Sequence, residues 1–138
     1  MIKELCEAIM DKYKSTEELQ AVLSGGMYYQ QAPQDVSKPY CVFRIPLLTN
    51  EKFLGVTADR KKMFIAAVEF ISITDNEQGG EEIDNVMSQV QQAYDESELE
   101  MDGFYTVAVF SKDTGESELI DDVTWQNVSE YEVWFVKE

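Results

Sequence analysis

Apolar residues at the start of the chain follow a helical period. They recur at steps of three and four over residues 2–14, which places one apolar stripe along a predicted helix, at Ile2, Leu5, Cys6, Ile9 and Tyr13. The run Ser15-Thr16-Glu17-Glu18 has the pattern of a capping box, in which Ser15 and Glu18 satisfy free backbone donors. A second, short helix is therefore predicted over residues 17–23, ended by Gly25-Gly26.

The middle of the chain changes to short runs rich in aromatic and β-branched residues. These predict strands at 27–29 and 40–47, and Pro46 indicates a sheet edge or the end of the second strand. Residues 62–74 alternate and are apolar on both faces except at Glu69, so this strand is expected at the centre of the sheet. The mostly polar residues 48–61 predict a flexible loop or a hairpin arm.

The second half returns to a helix and ends in strands. Gly79-Gly80 precedes residues 81–95, where an apolar stripe and an acidic first turn predict a helix. Strands are predicted at 104–111 and 123–137. The predicted fold is α+β, with two helical regions packed on a largely antiparallel β-sheet in a single domain, 1–138.

Composition fits one ordered domain. The chain has 138 residues, of which 44% are apolar, enough for a core without disulfide bonds. Cys6 and Cys41 lie in apolar contexts and are predicted to be buried. The longest apolar run, residues 63–68, is far shorter than the roughly 20 residues of a membrane helix. The acidic, amphipathic start lacks the pattern of a signal peptide, so synthesis in the cytoplasm is expected.

Charge is the most unusual property of the sequence. The formal net charge is −16, which opposes direct binding to nucleic acid backbones and anionic membranes. Residues 75–122 hold fifteen acids and one base, net −14, whereas residues 38–62 hold six bases and two acids, net +4. This asymmetry favours head-to-tail contacts between copies of the chain.

Residues that usually carry chemistry are missing from the sequence. It contains no histidine and neither of the common glycine-rich phosphate-binding motifs. The acids of residues 95–103 resemble the start of a calcium loop, but the position of its bidentate acid is Val109, inside a predicted strand. We therefore predict that the chain is not an enzyme and has no catalytic, cofactor or metal site.

Both faces of the C-terminal half of the last strand are apolar, including Trp134. Such a strand needs cover on both sides, from its own helices or from a neighbouring subunit. Together with the basic segment, this pattern defines a set of candidate subunit-interface residues: Lys52, Arg60, Lys61, Lys62 and Trp134.

One stretch resembles a known family. The segment Gly26-Met27-Tyr28-Tyr29-Gln30-Gln31-Ala32-Pro33-Gln34-Asp35, followed by Lys38-Pro39-Tyr40-Cys41-Val42-Phe43, is similar to the tail-completion, or tail-terminator, proteins of long-tailed bacteriophages. The later order of a long strand, an amphipathic helix and closing strands is similar too. The chain departs from the family in its longer polar insertion at 48–61 and its acidic second half.

The resemblance implies a structural role in a phage or prophage. It implies a ring of subunits, expected to be a hexamer, that terminates the tail tube and joins it to the head connector in the neck. The expected partners are further copies of the chain, the tail tube protein and the head connector protein. The expected locations are the host cytoplasm during assembly and then the virion. Because DNA would pass through such a ring, the acids Glu98, Glu100 and Asp102 are candidates to line its lumen.

Three alternatives remain open from the sequence. A head-closure or minor tail protein would serve the same particle at another position. An acidic inhibitor that mimics DNA would use its carboxylates to occupy a basic groove. An enzyme that uses two paired acids would need a spacing that the sequence does not display.

Overall fold

A computed structural model describes residues 1–52 and 62–138, with side chains except at positions 50–52 and 62. The predicted arm at 48–61 lies largely outside this part, although residues 48–52 continue a strand. The helices and strands of the described part follow in the order α1 (Ile2–Ser15), α2 (Glu17–Val22), β1 (Met27–Tyr29), β2 (Tyr40–Lys52), β3 (Lys62–Asp75), α3 (Glu81–Tyr94), β4 (Phe104–Asp113), β5 (Glu118–Asp121) and β6 (Thr124–Lys137).

Within the described ranges, six strands form one sheet in the order β1-β2-β3-β6-β4, and β5 pairs with β6. Among these described strands, β1 and β2 pair in parallel and the other pairs are antiparallel. Because β5 pairs with the start of β6 and β4 with the remainder, β6 has neighbours on both sides along most of its length. The fold class and the central position of β3 agree with the sequence prediction.

The hydrophobic core lies between the helices and one face of the sheet. The rings of Phe70 on β3 and Tyr94 on α3 are 4.7 Å apart, and the Tyr94 hydroxyl donates a 2.8 Å hydrogen bond to the carbonyl of Ile9 on α1. Side chains from both layers share this core, among them Leu5, Ile9, Leu19, Phe43, Ala66, Val68, Val86, Val90, Val133 and Phe135. The helices are therefore fixed to one face of the sheet by continuous apolar packing.

The two edges of the sheet differ. The segment after α3 runs beside β4: the Glu96 amide donates to the Val109 carbonyl over 2.7 Å, and the Ser111 amide donates to Asp95 Oδ1 over 2.8 Å. Such cover protects a sheet edge from pairing with other chains. On the other edge, β1 pairs only with the first part of β2, at residues 41–43.

Several sequence expectations needed correction. The predicted capping box is wrong, because Ser15 belongs to α1 and the N-cap of α2 is Thr16, with no side-chain cap bond. Both hydroxyls bond backward to the Lys12 carbonyl. The strand β5 was not predicted, because four residues are too few to show a period. Of the cysteines, Cys41 is buried as expected and Cys6 only partly.

No helix within residues 1–52 and 62–138 has the length and apolar character needed to span a membrane.

A helix-free sheet face as candidate assembly surface

The side of the sheet opposite the helices carries side chains that do not contribute to the core. We call it the helix-free face, because no helix of the described chain packs on it. Strand register brings these side chains to one side, since residues directly opposite each other in paired strands point to the same face. The helix-free face includes Arg44, Leu47, Ile65, Ala67, Glu69, Ile71, Phe110, Lys112, Asp113, Glu118, Val128, Glu130, Glu132 and Trp134.

Much of this face is apolar and exposed to solvent. Leu47 on β2 is 58% exposed and Val128 on β6 is 38% exposed. Ile65 and Ile71 on the central strand β3 are only partly buried, although their β3 neighbours Phe64 and Phe70 are buried in the core. An antiparallel sheet that faces water usually presents polar side chains on that face. The composition of the helix-free face is instead typical of a surface that binds another protein.

Four of the charged groups of this face form two ion pairs. The guanidinium of Arg44 forms an ion pair with the Glu69 carboxylate opposite it. Glu132 accepts from Lys112 Nζ and from the indole N–H of Trp134, each over 2.8 Å. These hydrogen bonds, that of Lys112 first, lower the pKa of the Glu132 carboxyl below its usual value.

Trp134 is the predicted interface residue whose side chain the structure describes. It lies on the helix-free face, half-buried, with its ring 5.9 Å from that of Phe110 in an edge-to-face arrangement. Lys52 and Lys62 face each other in the backbone register at the end of the β2–β3 pair, but their side chains are outside the described part. Arg60 and Lys61 lie outside it altogether.

The candidate lumen acids lie on the segment between α3 and β4. Glu98, Glu100 and Asp102 are exposed, whereas the intervening Leu99 and Met101 are buried in the core. The alternation shows that this segment is held to the domain by its apolar side chains and presents its carboxylates outward. A groove of about 390 Å³ separates Glu98 and Glu100 from α1, which contributes Asp11, Lys12 and Ser15 to its lining.

The fold places acids of residues 75–122 at both ends of the sheet. Asp75 and Glu77 share a cleft with Asp122 at the end where β3 finishes and β6 begins. Burial, and then the negative charges of Asp75 and Glu77, raise the pKa of Glu82 at that end. The candidate lumen acids instead share a cleft with Glu138, at the opposite end of β6.

Sequence reasoning missed Phe110, Lys112 and Glu132 as members of this surface. The alternation of β4 and β6 places them on one parity, but only the β4–β6 register, which is interrupted by bulges, brings them together. Among the residues with described side chains, no group of three or more cysteine or acidic residues could hold a metal ion.

Comparison with solved structures identifies the same fold in a phage-like particle. A chain of the virion of a native gene transfer agent particle matches with a TM-score of 0.70 and 11% identity, covering 93% of this chain and 90% of that chain. A second solved chain matches with a TM-score of 0.61 and 8% identity, covering 100% of this chain and 96% of that chain. No curated protein sequence shows significant similarity.

Comparison with protein families covers nearly the whole sequence. Residues 7–135 match the family described as Tail completion protein gp17. The match includes the Tyr-Tyr and Ala-Pro segment that carried the resemblance in the sequence, and it extends over all strands but the last two residues of β6. The chain belongs to the tail completion protein gp17 family, and its role is that of a structural protein of a bacteriophage tail.

Proposed function

We propose that copies of this chain assemble into a ring that terminates the tail tube and joins it to the head connector. The observation that carries the proposal is the match of residues 7–135 to the tail completion family. The ring is expected to be a hexamer, and its partners are the tail tube protein and the head connector protein. The protein would assemble in the host cytoplasm and remain in the virion neck.

The surface chemistry is consistent with a protein that works by assembly. The helix-free face offers an exposed apolar area, which a chain acting alone would rarely keep. The chain also has clefts, but those we described are lined by acids together with apolar and other polar residues, without the histidine or cysteine groups of common catalytic sites.

The proposal is tested by removing the protein from phage assembly. Particles made without it should separate into filled heads and unjoined tails of irregular length, because tube growth has no terminating ring. Adding the purified chain to such an extract should restore joined particles, counted by electron microscopy. Tails of normal length that still fail to join heads would instead indicate a head-closure protein, and normal tail ends with another defect would indicate a minor tail protein.

We further propose that Glu98, Glu100 and Asp102 face the lumen of this ring. An acidic wall would repel the phosphate backbone and let DNA pass without being held. Reversing all three to lysine should leave particles that assemble normally but eject DNA slowly, measured by the release of labelled DNA. Reversal of three exposed acids near the other end of the sheet, Glu77, Glu81 and Asp122, is the matched control. Unchanged DNA release in the first variant would contradict this assignment.

A further inference from the structure

We propose that a cleft over Asn127 receives basic side chains of residues 52–62 from a neighbouring copy of this chain, an inference that rests on the ring proposed above. The cleft, of about 560 Å³, lies between α3 and the connection from β4 to β5, and Asn127 on β6 contributes to its lining. We call it the Asn127 cleft. It is distinct from the helix-free face, because Asn127 lies opposite the buried Ser72 on the helix side of the sheet.

Asn127 provides the first observation, a buried acceptor without a donor. Its side chain is only 3% exposed, and its Nδ2 donates to Ser117 Oγ over 3.1 Å. Its Oδ1 accepts no hydrogen bond from the described part of the chain. Leaving a buried carbonyl oxygen without a donor is unfavourable, so this position favours a ligand that donates hydrogen bonds.

The connection between β4 and β5 passes directly over this oxygen. A Cβ on Gly115 would lie 3.9 Å from Asn127 Oδ1 and would collide with the Val128 carbonyl oxygen. Residues 114–116 are exposed and belong to no strand. A small outward movement of this short connection would therefore open Oδ1 to a group that enters the cleft.

The charge of the Asn127 cleft selects a cation among possible donors. Its charged lining residues are the exposed acids Asp84 on α3 and Glu116 on the connection, and none of its described lining residues is basic. Ammonium and guanidinium groups carry several N–H donors together with a positive charge. A lysine or arginine side chain can therefore pair with a carboxylate and also donate to Asn127.

Charge complementarity matches this cleft to residues 52–62. This stretch holds four bases and one acid, net +3, and so contains four of the eleven bases of the chain, Lys52, Arg60, Lys61 and Lys62. By contrast, Arg44 and Lys112 are already engaged in ion pairs with acids of their own chain. Opposite charges on two surfaces favour and orient their contact.

Strand register shows that the stretch cannot reach the cleft of its own chain. Asn127 lies opposite Ser72, which is ten residues from Lys62 along β3, or about 33 Å. Arg60 and Lys61 are within two residues of Lys62, and even an extended chain spans only about 3.5 Å per residue. The contact therefore joins two copies through two different surfaces. Such a head-to-tail contact generates a ring when its rotation closes.

The test exchanges the charges of the two surfaces. The cleft variant is Asp84→Lys with Glu116→Lys, the stretch variant is Arg60→Glu with Lys61→Glu, and a third chain carries all four changes. Sedimentation velocity over a range of concentrations gives the association constant for ring formation. Each double variant should lose about ten-fold or more, and the fourfold variant should recover most of the loss, because opposite charges face each other again.

The matched control is Glu7→Lys with Asp11→Lys, which reverses two exposed acids on α1 and changes the net charge by the same amount. It should assemble as well as the wild type. Circular dichroism and thermal unfolding establish that every variant is folded.

Asn127→Asp tests the buried acceptor itself. The substitution keeps the shape of the side chain but places a charge in a buried position, so the isolated chain should melt at a lower temperature. The association constant should nevertheless rise several-fold, because the incoming cation neutralises that charge. A lower melting temperature with unchanged or weaker association would assign Asn127 a purely structural role and overturn its part in the contact.

The outcomes separate this inference from the proposed function. If the wild type forms no ring, either alone or on purified tail tubes, the ring proposal fails and this inference fails with it. If the wild type forms rings and both double variants do so equally well, only the inference is overturned. It is also overturned if the double variants assemble poorly and the fourfold variant recovers nothing, because the two surfaces then do not contact each other.

Discussion

At the residue level, Cys41 shows how burial changes the chemistry of a single group. Its side chain is fully buried on β2, where the Ser72 hydroxyl approaches the sulfur at 3.8 Å. Burial in an apolar environment raises the pKa of the Cys41 thiol from 9.0 to about 12. In the folded protein the thiol therefore stays protonated and is a poor nucleophile at neutral pH.

This shift predicts a loss of stability in alkali. The raised folded pKa means that stability is fully present below pH 9, where both states hold the proton, and decreases as pH rises toward 12. One such group contributes a slope of about 1.4 kcal/mol per pH unit. Urea unfolding between pH 8 and pH 11 should show the decline, and Cys41→Ala should make it shallower. Equal slopes in the two proteins would contradict the prediction.

Gly25 is required for a different reason, the close approach of two backbone segments. A Cβ at this position would lie 1.7 Å from the carbonyl oxygen of Ser37. The Gly25 amide also donates a 2.8 Å hydrogen bond to the Pro39 carbonyl, so the loop before β2 is fixed against this residue. Space, and not a positive φ, excludes a side chain here.

Gly25→Ala is therefore predicted to destabilise the protein by about 3 kcal/mol, because backbone must move to admit the methyl group. Gly80→Ala is the matched control: its Cβ would meet only the Trp125 ring at an ordinary 3.8 Å. The control should lose no more than about 1 kcal/mol at this helix N-cap. The two are compared by the free energy of unfolding in urea, and similar losses would argue against the close approach.

At the level of elements, the segment between α3 and β4 covers the edge of β4, a role that its sequence does not predict. Residues 95–102 carry alternating acids, which suits a solvated connector. In the fold, the carboxylate of Asp95 accepts from the Ser111 amide, and the Leu99 carbonyl accepts from the Thr106 hydroxyl over 2.6 Å. The segment therefore covers the outer edge of β4 and limits pairing of that edge with another strand.

Asp95→Ala should loosen this cover. The loss of a hydrogen bond to a half-buried carboxylate is expected to lower stability by about 1–2 kcal/mol. Amide exchange at Ser111 should also become faster, because its N–H loses its acceptor. Asp95→Asn, which keeps an acceptor oxygen, should restore most of the protection, and Glu98→Ala, at an exposed position, should leave the exchange unchanged. Unaltered exchange in Asp95→Ala would exclude this role.

At the level of the whole molecule, the net charge of −16 opposes folding as well as association. The described ion pairs are few and are mainly exposed, apart from the more buried carboxylates of Glu69 and Glu132. Self-repulsion among the remaining acids is screened by salt, with a Debye length of about 10 Å at 0.1 M. Stability and assembly should therefore both depend on ionic strength.

We predict that the melting temperature rises by several degrees between about 20 mM and about 500 mM NaCl, because screening weakens the repulsion in the compact state. Scanning calorimetry measures the change. Glu116→Lys, at an exposed position in the acidic second half, should raise the melting temperature at low salt and reduce its salt dependence. A melting temperature independent of NaCl in the wild type would contradict the role assigned to self-repulsion.

Sequence patterns predicted most elements of the fold. Residues 62–74 were expected to form a central strand, and β3 occupies that position between β2 and β6. Helical stripes predicted α1 and α3 to within one residue at each end. The predicted capping box at Ser15 is wrong because the hydroxyls of Ser15 and Thr16 both donate to the nearby backbone carbonyl of Lys12. This local hydrogen bond competes with capping of α2. Family membership, inferred from residues 26–43, is confirmed over residues 7–135.

The candidate surface was only partly predictable. The sequence indicated that both faces of the last strand are apolar and singled out Trp134. It could not indicate which face the helices leave bare, or that Phe110 and Lys112 join Trp134 and Glu132 there. Nor could it reveal that acids of residues 75–122 lie at both ends of the sheet.

The difference has one physical reason. Periodicity, charge and the absence of histidine are properties of neighbouring residues, so the sequence alone established the element types, the α+β class and the acidic character. Strand order, the register between β4 and β6, and the side on which the helices pack depend on contacts between residues far apart in the chain. Those long-range contacts, which only the folded structure contains, created the bare, partly apolar face.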